Sequence, residues 1–114
     1  MKQLIIFLSF IFLSVAAQAQ DKDIKTDTLM VSGNCSMCKK RIEKAAYIPG
    51  VKQADWDKEN KLLIVTYRPS KTSGKEVLKS IADVGYDSEQ FTADEKSYKK
   101  LPACCKYRTN TCED

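Results

Sequence analysis

Histidine is absent from this chain of 114 residues, and its absence removes whole classes of functional site. Zinc fingers of the Cys/His type need imidazole ligands, and Ser-His and Cys-His hydrolases need an imidazole base. None of these sites can be built from this sequence. We therefore predict no hydrolase of these two types. Our prediction that the chain is not an enzyme depends instead on the interpretation of the cysteine motif described below.

A strong charge of one sign is also lacking. The 19 Lys and Arg residues outweigh the 15 Asp and Glu residues by a formal net charge of +4, and the two signs are interspersed. So mild an excess is typical of a solvated surface rather than of a patch that binds nucleic acid or a membrane. We predict no nucleic-acid partner.

The sequence has one long apolar run, and it is too short to cross a membrane. Residues 4–15 (LIIFLSFIFLSV) follow Lys2 and precede Ala17-Gln18-Ala19, which has the small-x-small pattern of a signal-peptidase site. A helix over that run rises about 18 Å, short of the roughly 30 Å hydrocarbon core. A helix packed on a domain would usually keep a polar face, which this run lacks. We expect a cleaved signal peptide and an exported product, periplasmic or secreted, with no membrane span after cleavage.

Hydrophobic periodicity predicts a strand, a helix and a hairpin in the first half of the exported chain. A β-prone run covers residues 28–31, and apolar residues at helical spacing begin at Cys38 and end before Pro49-Gly50. Residues 51–56 and 62–67 have strand character, and the short polar link between them indicates a hairpin.

A second helix and a last strand follow. Ser73 and Glu76 form a capping box, and Gly85 occupies the position expected just beyond a helix end. Residues 86–91 are predicted as a strand. The order β-α-β-β-α-β predicts an α+β fold of the ferredoxin-like type, with a four-stranded antiparallel sheet and two helices on one face. The chain is thus expected to comprise a signal peptide at 1–19, a flexible lead-in at 20–26, this domain at 27–91 and a cysteine-containing C-terminal tail at 92–114.

The Cys35-Ser36-Met37-Cys38 motif lies where the first strand gives way to the first helix. Two intervening residues let both sulfurs converge on one point. The partial positive charge of a helix N-terminus, with Lys39, Lys40 and Arg41 close by, favours the thiolate form that binds metal. Two soft sulfurs favour a soft ion of low coordination number, Cu(I) first and Hg(II) second, over zinc, which prefers four ligands. We expect the ion to be exposed on a loop, an arrangement that suits transfer to an incoming thiolate.

A Cys-x-x-Cys pair has other uses. In an exported protein it can form a short structural disulfide, or it can serve a thiol-disulfide oxidoreductase with Cys35 as the nucleophile. Thioredoxin-like redox pairs follow an aromatic residue, whereas Asn34 precedes this pair. A redox protein and a disulfide-stabilised adaptor without metal stay open as alternatives.

Several segments together resemble the heavy-metal-associated domain family, which includes copper chaperones, N-terminal domains of copper ATPases and the periplasmic mercury-binding protein. The similar segments are the metal loop at 31–38 (VSGNCSMC), the first helix and second strand at 42–45 (IEKA) and 49–51 (PGV), and the second-helix exit at 82–86 (ADVGY). The resemblance implies Cys35 and Cys38 as metal ligands. It implies Tyr86 as a neighbour of the metal loop outside the ligand set, with a plain core role as the alternative. It also implies a metal-transporting ATPase or another thiol protein as the partner.

One position departs from the family pattern. The family usually reads Gly-Met-x-Cys-x-x-Cys, with the Met buried beneath the loop. Here Gly33 stands at the Met position, or the loop is one residue shorter. Met37, between the cysteines, is not an evident substitute. The missing anchor puts the rigidity of the loop in question.

Three further cysteines, Cys104, Cys105 and Cys112, lie in the tail beyond the resemblance. An extended chain from Phe91 to Cys104 reaches at most about 45 Å, far enough to return to the metal loop. A disulfide from Cys112 to Cys104 or Cys105 would tie the tail down. Alternatively a tail cysteine supplies a third thiolate or covers the metal as a lid, or the tail holds a separate metal site.

Overall fold

The computed structural model describes residues 23–109, and its elements follow the predicted order as far as the second helix. The predicted signal peptide and Cys112 lie outside the described residues. Within residues 23–109, no helix is both long and apolar enough to cross a bilayer. The elements are the strands β1 (Lys25–Met30), β2 (Val51–Asp57) and β3 (Leu62–Tyr67), the helices α1 (Ser36–Ala46), α2 (Gly74–Asp83) and α3 (Glu95–Lys99), and a 3₁₀ turn at Ala103–Cys105.

The three strands form an antiparallel sheet in the order β1-β3-β2. Along β3 the side chains of Leu63, Val65 and Tyr67 are buried, whereas Ile64 is 48% exposed. Since successive side chains of a strand point to opposite faces, one face of the sheet carries the core and the other meets solvent. The helix α1 packs on both β2 and α2. The α+β class is therefore as predicted.

The prediction of a fourth strand at residues 86–91 is wrong, and the sheet of the described residues has three strands. This segment contributes one antiparallel bridge, between Val31 and Ser88. The amide of Ser88 donates to the carbonyl of Phe91 at 2.8 Å, and its hydroxyl accepts from the amide of Phe91 at 3.2 Å. The backbone therefore turns back on itself, and groups that would have extended the ladder are used inside the turn.

The second helix begins and ends where local sequence signals place it. The Ser73 side chain accepts a hydrogen bond from the amide of Glu76, as in a capping box. Just beyond the helix, Gly85 has φ +105°, a conformation that side chains with a Cβ rarely adopt. The chain can therefore leave α2 and turn beneath the returning tail.

The tail is folded against the domain, and aromatic packing holds it there. The ring of Tyr107 stacks on Tyr86 at 5.5 Å between centroids and meets Tyr98 edge-on at 5.4 Å. Its hydroxyl donates to the carbonyl of Gly85 at 2.8 Å and accepts from the amide of Asp87 at 2.8 Å. Such aromatic pairs contribute about 0.5–1.5 kcal/mol beyond the area they bury.

Arg108 also holds the tail on the domain, through a bidentate ion pair with Asp87. Its Nη2 and Nε lie 2.7 and 3.0 Å from the two carboxylate oxygens of Asp87. Nη2 also donates to the carbonyl of Ala93 at 2.8 Å, and the guanidinium lies 4.2 Å over the Tyr98 ring. Burial raises the pKa of Asp87, but Arg108 and the amide of Ala93 outweigh it and hold that pKa below its ordinary value.

We predict that Tyr107→Phe lowers the free energy of unfolding by about 1–3 kcal/mol, because it leaves a carbonyl and an amide without their shared partner. Tyr47→Phe is the matched control. Its hydroxyl also accepts a backbone hydrogen bond, from Ala54 at 3.1 Å, but the side chain is 53% exposed, so water can replace it. Denaturant unfolding of both variants gives the comparison. Equal losses would contradict the role assigned to Tyr107.

Candidate metal centre

Cys35 and Cys38 meet at the N-terminus of α1. Cys35 is the N-cap residue, with φ −147° and ψ 172°, and its side chain makes no capping hydrogen bond, so its sulfur is available to other groups. Cys38 lies in the first turn, and the two Sγ atoms are 3.5 Å apart. Both sulfurs therefore lie where the helix dipole concentrates partial positive charge.

A third sulfur joins this pair from the tail. The Sγ of Cys105 lies 3.8 Å from that of Cys35, and the Sγ atoms of Cys35, Cys38 and Cys105 all lie within 4.8 Å of one another. Cys104 stands further out, with its Sγ 4.0 Å from that of Cys105 and 3.7 Å from Sδ of the exposed Met37. The structure thus brings three of the predicted site cysteines together and places Cys104 at their outer side.

The expectation that this site is exposed on a loop is wrong. Cys35 is 2% exposed, and Cys38 and Cys105 are 0% exposed. The carbonyl oxygen of Cys104 lies 3.7 Å from the Cys35 sulfur, so the tail backbone lies against the pair. The four described cysteines form no disulfide with one another.

Burial and hydrogen bonding shift the pKa values of the three thiols in different directions. Burial raises the pKa of Cys35 and of Cys105 above the ordinary thiol value. Cys38 is desolvated too, but the backbone of Asn34 and the nearby hydroxyl of Tyr86 stabilise its thiolate and bring its pKa below the ordinary value. Cys38 is therefore the first of the three to ionise. The sequence predicted that both thiols ionise more easily than a free cysteine. The lowered pKa of Cys38 agrees with that prediction, and the raised pKa of Cys35 does not.

The ammonium group of Lys39 is paired with two carboxylates. Its Nζ lies 2.7 Å from Glu43 Oε2 and 2.6 Å from Asp55 Oδ1, and it donates to the carbonyl of Trp56 at 2.8 Å. The hydrogen bonds to Asp55 and Glu43 raise the pKa of Lys39 and keep it protonated. This lysine therefore ties α1 to β2, and the two carboxylates offset its positive charge.

Tyr86 lies beneath the sulfur cluster and is fully buried. Its hydroxyl makes no well-formed hydrogen bond within the described residues. Burial raises its pKa most, and the thiols of Cys38 and Cys105 raise it further, so its hydroxyl faces those two sulfurs. A phenol of raised pKa stays protonated, and its O–H can donate to a thiolate.

The chain is similar in sequence to known metal-handling proteins. The mercuric transport protein periplasmic component of Pseudomonas aeruginosa is 38% identical over 66 residues, which cover 56% of this chain and 72% of that protein. The chain belongs to the heavy-metal-associated domain family. No family model matches the chain as a whole or in part.

Solved structures of similar fold include a metallochaperone and an oxidized MerP. A CopZ metallochaperone has 36% sequence identity and a TM-score of 0.54, covering 56% of this chain and 98% of that one. Oxidized MerP from Ralstonia metallidurans CH34 has 37% identity and a TM-score of 0.55, covering 58% of this chain and 94% of that one. In each case the similarity spans nearly the whole of the smaller protein.

The copper-exporting P-type ATPase of Staphylococcus epidermidis is a relative of a different size. It is 28% identical over 92 residues, which make up 79% of this chain and 12% of the ATPase. The matched segment therefore spans only about an eighth of that protein's length.

Trp56 lies beneath the metal loop, where the family pattern has a buried methionine. It is 1% exposed, and its indole Nε1 donates to the carbonyl of Val31 at 3.0 Å. A Cβ at Gly33 would lie 2.9 Å from the Trp56 ring and 3.1 Å from Ile42. The indole thus occupies space beneath the loop that a methionine at position 33 would need. The sequence analysis missed this role. The one signal for it was that a chain with a single tryptophan also has a glycine at the family's Met position.

We predict that Gly33→Ala lowers the free energy of unfolding by about 1–3 kcal/mol, because the added Cβ overpacks the loop against the indole. In the background of Trp56→Leu, which removes the obstructing ring, the same substitution should cost less. A double-mutant cycle by denaturant unfolding measures the coupling. Strictly additive losses would show that the ring does not fill the space beneath Gly33.

Proposed function

We propose that this domain binds a soft metal ion, Cu(I) first and Hg(II) second, between the thiolates of Cys35 and Cys38, and carries it to a thiol-bearing partner. The observation that carries the proposal is the convergence of the two sulfurs, 3.5 Å apart on one helical turn. The relatives support it, since one is named a mercuric transport protein and another a metallochaperone.

The donor set favours a soft ion. Thiolates select Cu(I) and similar ions, whereas magnesium, calcium and manganese prefer oxygen ligands. Histidine is absent from the chain, so no imidazole can complete a mixed zinc site here. A soft ion held by few sulfurs can exchange by stepwise replacement of one thiolate with another, which suits a carrier that has no reaction to catalyse.

The compartment and the partner follow from two further observations. The signal-like segment at residues 1–19 supports export, to the periplasm or outside the cell. The similarity to part of a copper-exporting ATPase supports a metal-transporting ATPase, or another thiol protein, as the source or recipient of the ion. An exported carrier requires its cysteines to be reduced when the metal arrives.

The redox alternative fits the environment of Cys35 poorly. An oxidoreductase needs an accessible thiolate as its nucleophile. Cys35 is 2% exposed, and burial raises its pKa. A thiol that is both buried and held protonated is a poor nucleophile, which counts against thiol-disulfide catalysis.

The test is a competition titration of the reduced full chain with Cu(I) against a chromogenic chelator. Loss of a group that merely orients a ligand costs about 10–100-fold in metal affinity, so Cys35→Ser and Cys38→Ser should each cost more than about 100-fold. Cys104→Ser is the matched control, because its sulfur lies outside the cluster of three, and it should retain the affinity.

The same samples separate the alternatives. Reduction of insulin disulfides by the wild-type chain would favour the redox function, and failure to compete for Cu(I) after complete reduction would favour the adaptor. Either result would overturn the carrier proposal.

A further inference from the structure

Cys105 is fully buried, and its environment is not that of an ordinary apolar core residue. A buried cysteine often serves as a small apolar side chain. Here, however, its Sγ faces other sulfurs, at 3.8 Å from Cys35 and 4.0 Å from Cys104. The unpartnered hydroxyl of Tyr86 faces the same cluster. A polar group and three thiols that converge in the core suggest a ligand that they surround.

The distances among the sulfurs favour three-coordinate binding. If the zinc–thiolate bond of about 2.3 Å is taken as the scale for a soft metal, two opposed sulfurs are about 4.6 Å apart, whereas three sulfurs in a trigonal plane are about 4.0 Å apart. Cys35 and Cys38 are 3.5 Å apart, and Cys35 and Cys105 are 3.8 Å apart. A linear site would have to spread the first pair by about an ångström. A trigonal site needs about half that movement.

We propose that Cys105 supplies a third thiolate, so that the tail completes the metal centre and closes it. This inference rests on the proposed function and specifies its ligand set. As the ion binds, a bond forms from the metal to Cys105 Sγ, and the thiol proton of Cys105 passes to solvent. No electron is transferred in this step.

The tail is built to hold this ligand in place. The amide of Cys105 donates to the carbonyl of Pro102 at 2.8 Å and so fixes the 3₁₀ turn. Two residues further on, Tyr107 stacks on Tyr86, and Arg108 pairs with Asp87. The third ligand is thus fixed from both sides and does not depend on a freely moving segment.

The arrangement also gives an order for metal exchange. Cys35 and Cys38 share one helical turn, whereas Cys105 belongs to a separate element. A partner thiol can therefore replace Cys105 first: one metal–sulfur bond breaks, one forms, and the proton of the partner's thiol passes to Cys105. The ion keeps three sulfurs throughout, and release to the partner requires the tail to move aside.

The test compares Cys105→Ser with Cys104→Ser and Cys112→Ser in the reduced full chain. Cu(I) competition should show affinity at least about 10-fold lower for Cys105→Ser, since loss of a ligand should cost no less than loss of a group that merely orients one, and unchanged affinity for the two control variants. The mercury–thiolate absorption of the Hg(II)-loaded chain should shift from the three-sulfur to the two-sulfur type only in Cys105→Ser. Cys105→Ala should repeat both results, and near-ultraviolet circular dichroism checks that each variant is folded.

Each outcome decides between the two levels of the proposal. Equal affinity and equal absorption in wild type and a folded Cys105→Ser variant would overturn the third ligand and leave the Cys35–Cys38 carrier intact. A loss in Cys112→Ser in place of Cys105→Ser would also overturn it. Wild-type protein that binds neither ion would overturn the proposed function itself.

Discussion

The stacking of Tyr107 on Tyr86 is the contact on which the rest of the site depends. Tyr86 belongs to the domain and lies beneath the sulfur cluster, whereas Tyr107 belongs to the tail, two residues beyond Cys105. Their contact therefore holds in place the tail that brings the third sulfur to the first two and lays the carbonyl of Cys104 against Cys35. The hydroxyl of Tyr107 bonds the carbonyl of Gly85 and the amide of Asp87, so these two backbone groups do not extend the sheet.

Burial makes the thiols harder to ionise and also shields them from solvent. Desolvation raises the pKa of Cys35 and Cys105, so these thiols stay protonated and resist reaction until a metal displaces their protons. Exclusion of water also limits access by oxidants and competing ligands. A site closed in this way suits retention of the ion, and transfer then depends on a partner that can displace the tail. An exposed loop, as expected from the sequence, would have favoured rapid exchange instead.

Much of the fold could be predicted because its signals are local. The strand at Leu62–Tyr67 and the cap at Ser73 depend on neighbours within a few residues. The fourth strand could not be judged in this way, since the Tyr107 hydroxyl accepts from the amide of Asp87 across 20 residues of sequence, and Arg108 pairs with the carboxylate of Asp87. The role of Cys105 was equally hidden: its partner Cys35 is 70 residues distant in sequence. The sequence shows that the tail is long enough to reach the metal loop. Which tail cysteine lies next to Cys35 and Cys38 depends on how the tail packs on the domain.

The most direct measurement is X-ray absorption at the metal edge of the Cu(I)-loaded, fully reduced chain. We expect three sulfur neighbours at one short distance and no nitrogen or oxygen neighbour, because three thiols converge in the core of a chain that lacks histidine. Two sulfur neighbours would contradict the closed centre, and a shell that contains oxygen or nitrogen would contradict the assignment of the buried thiols as the metal site.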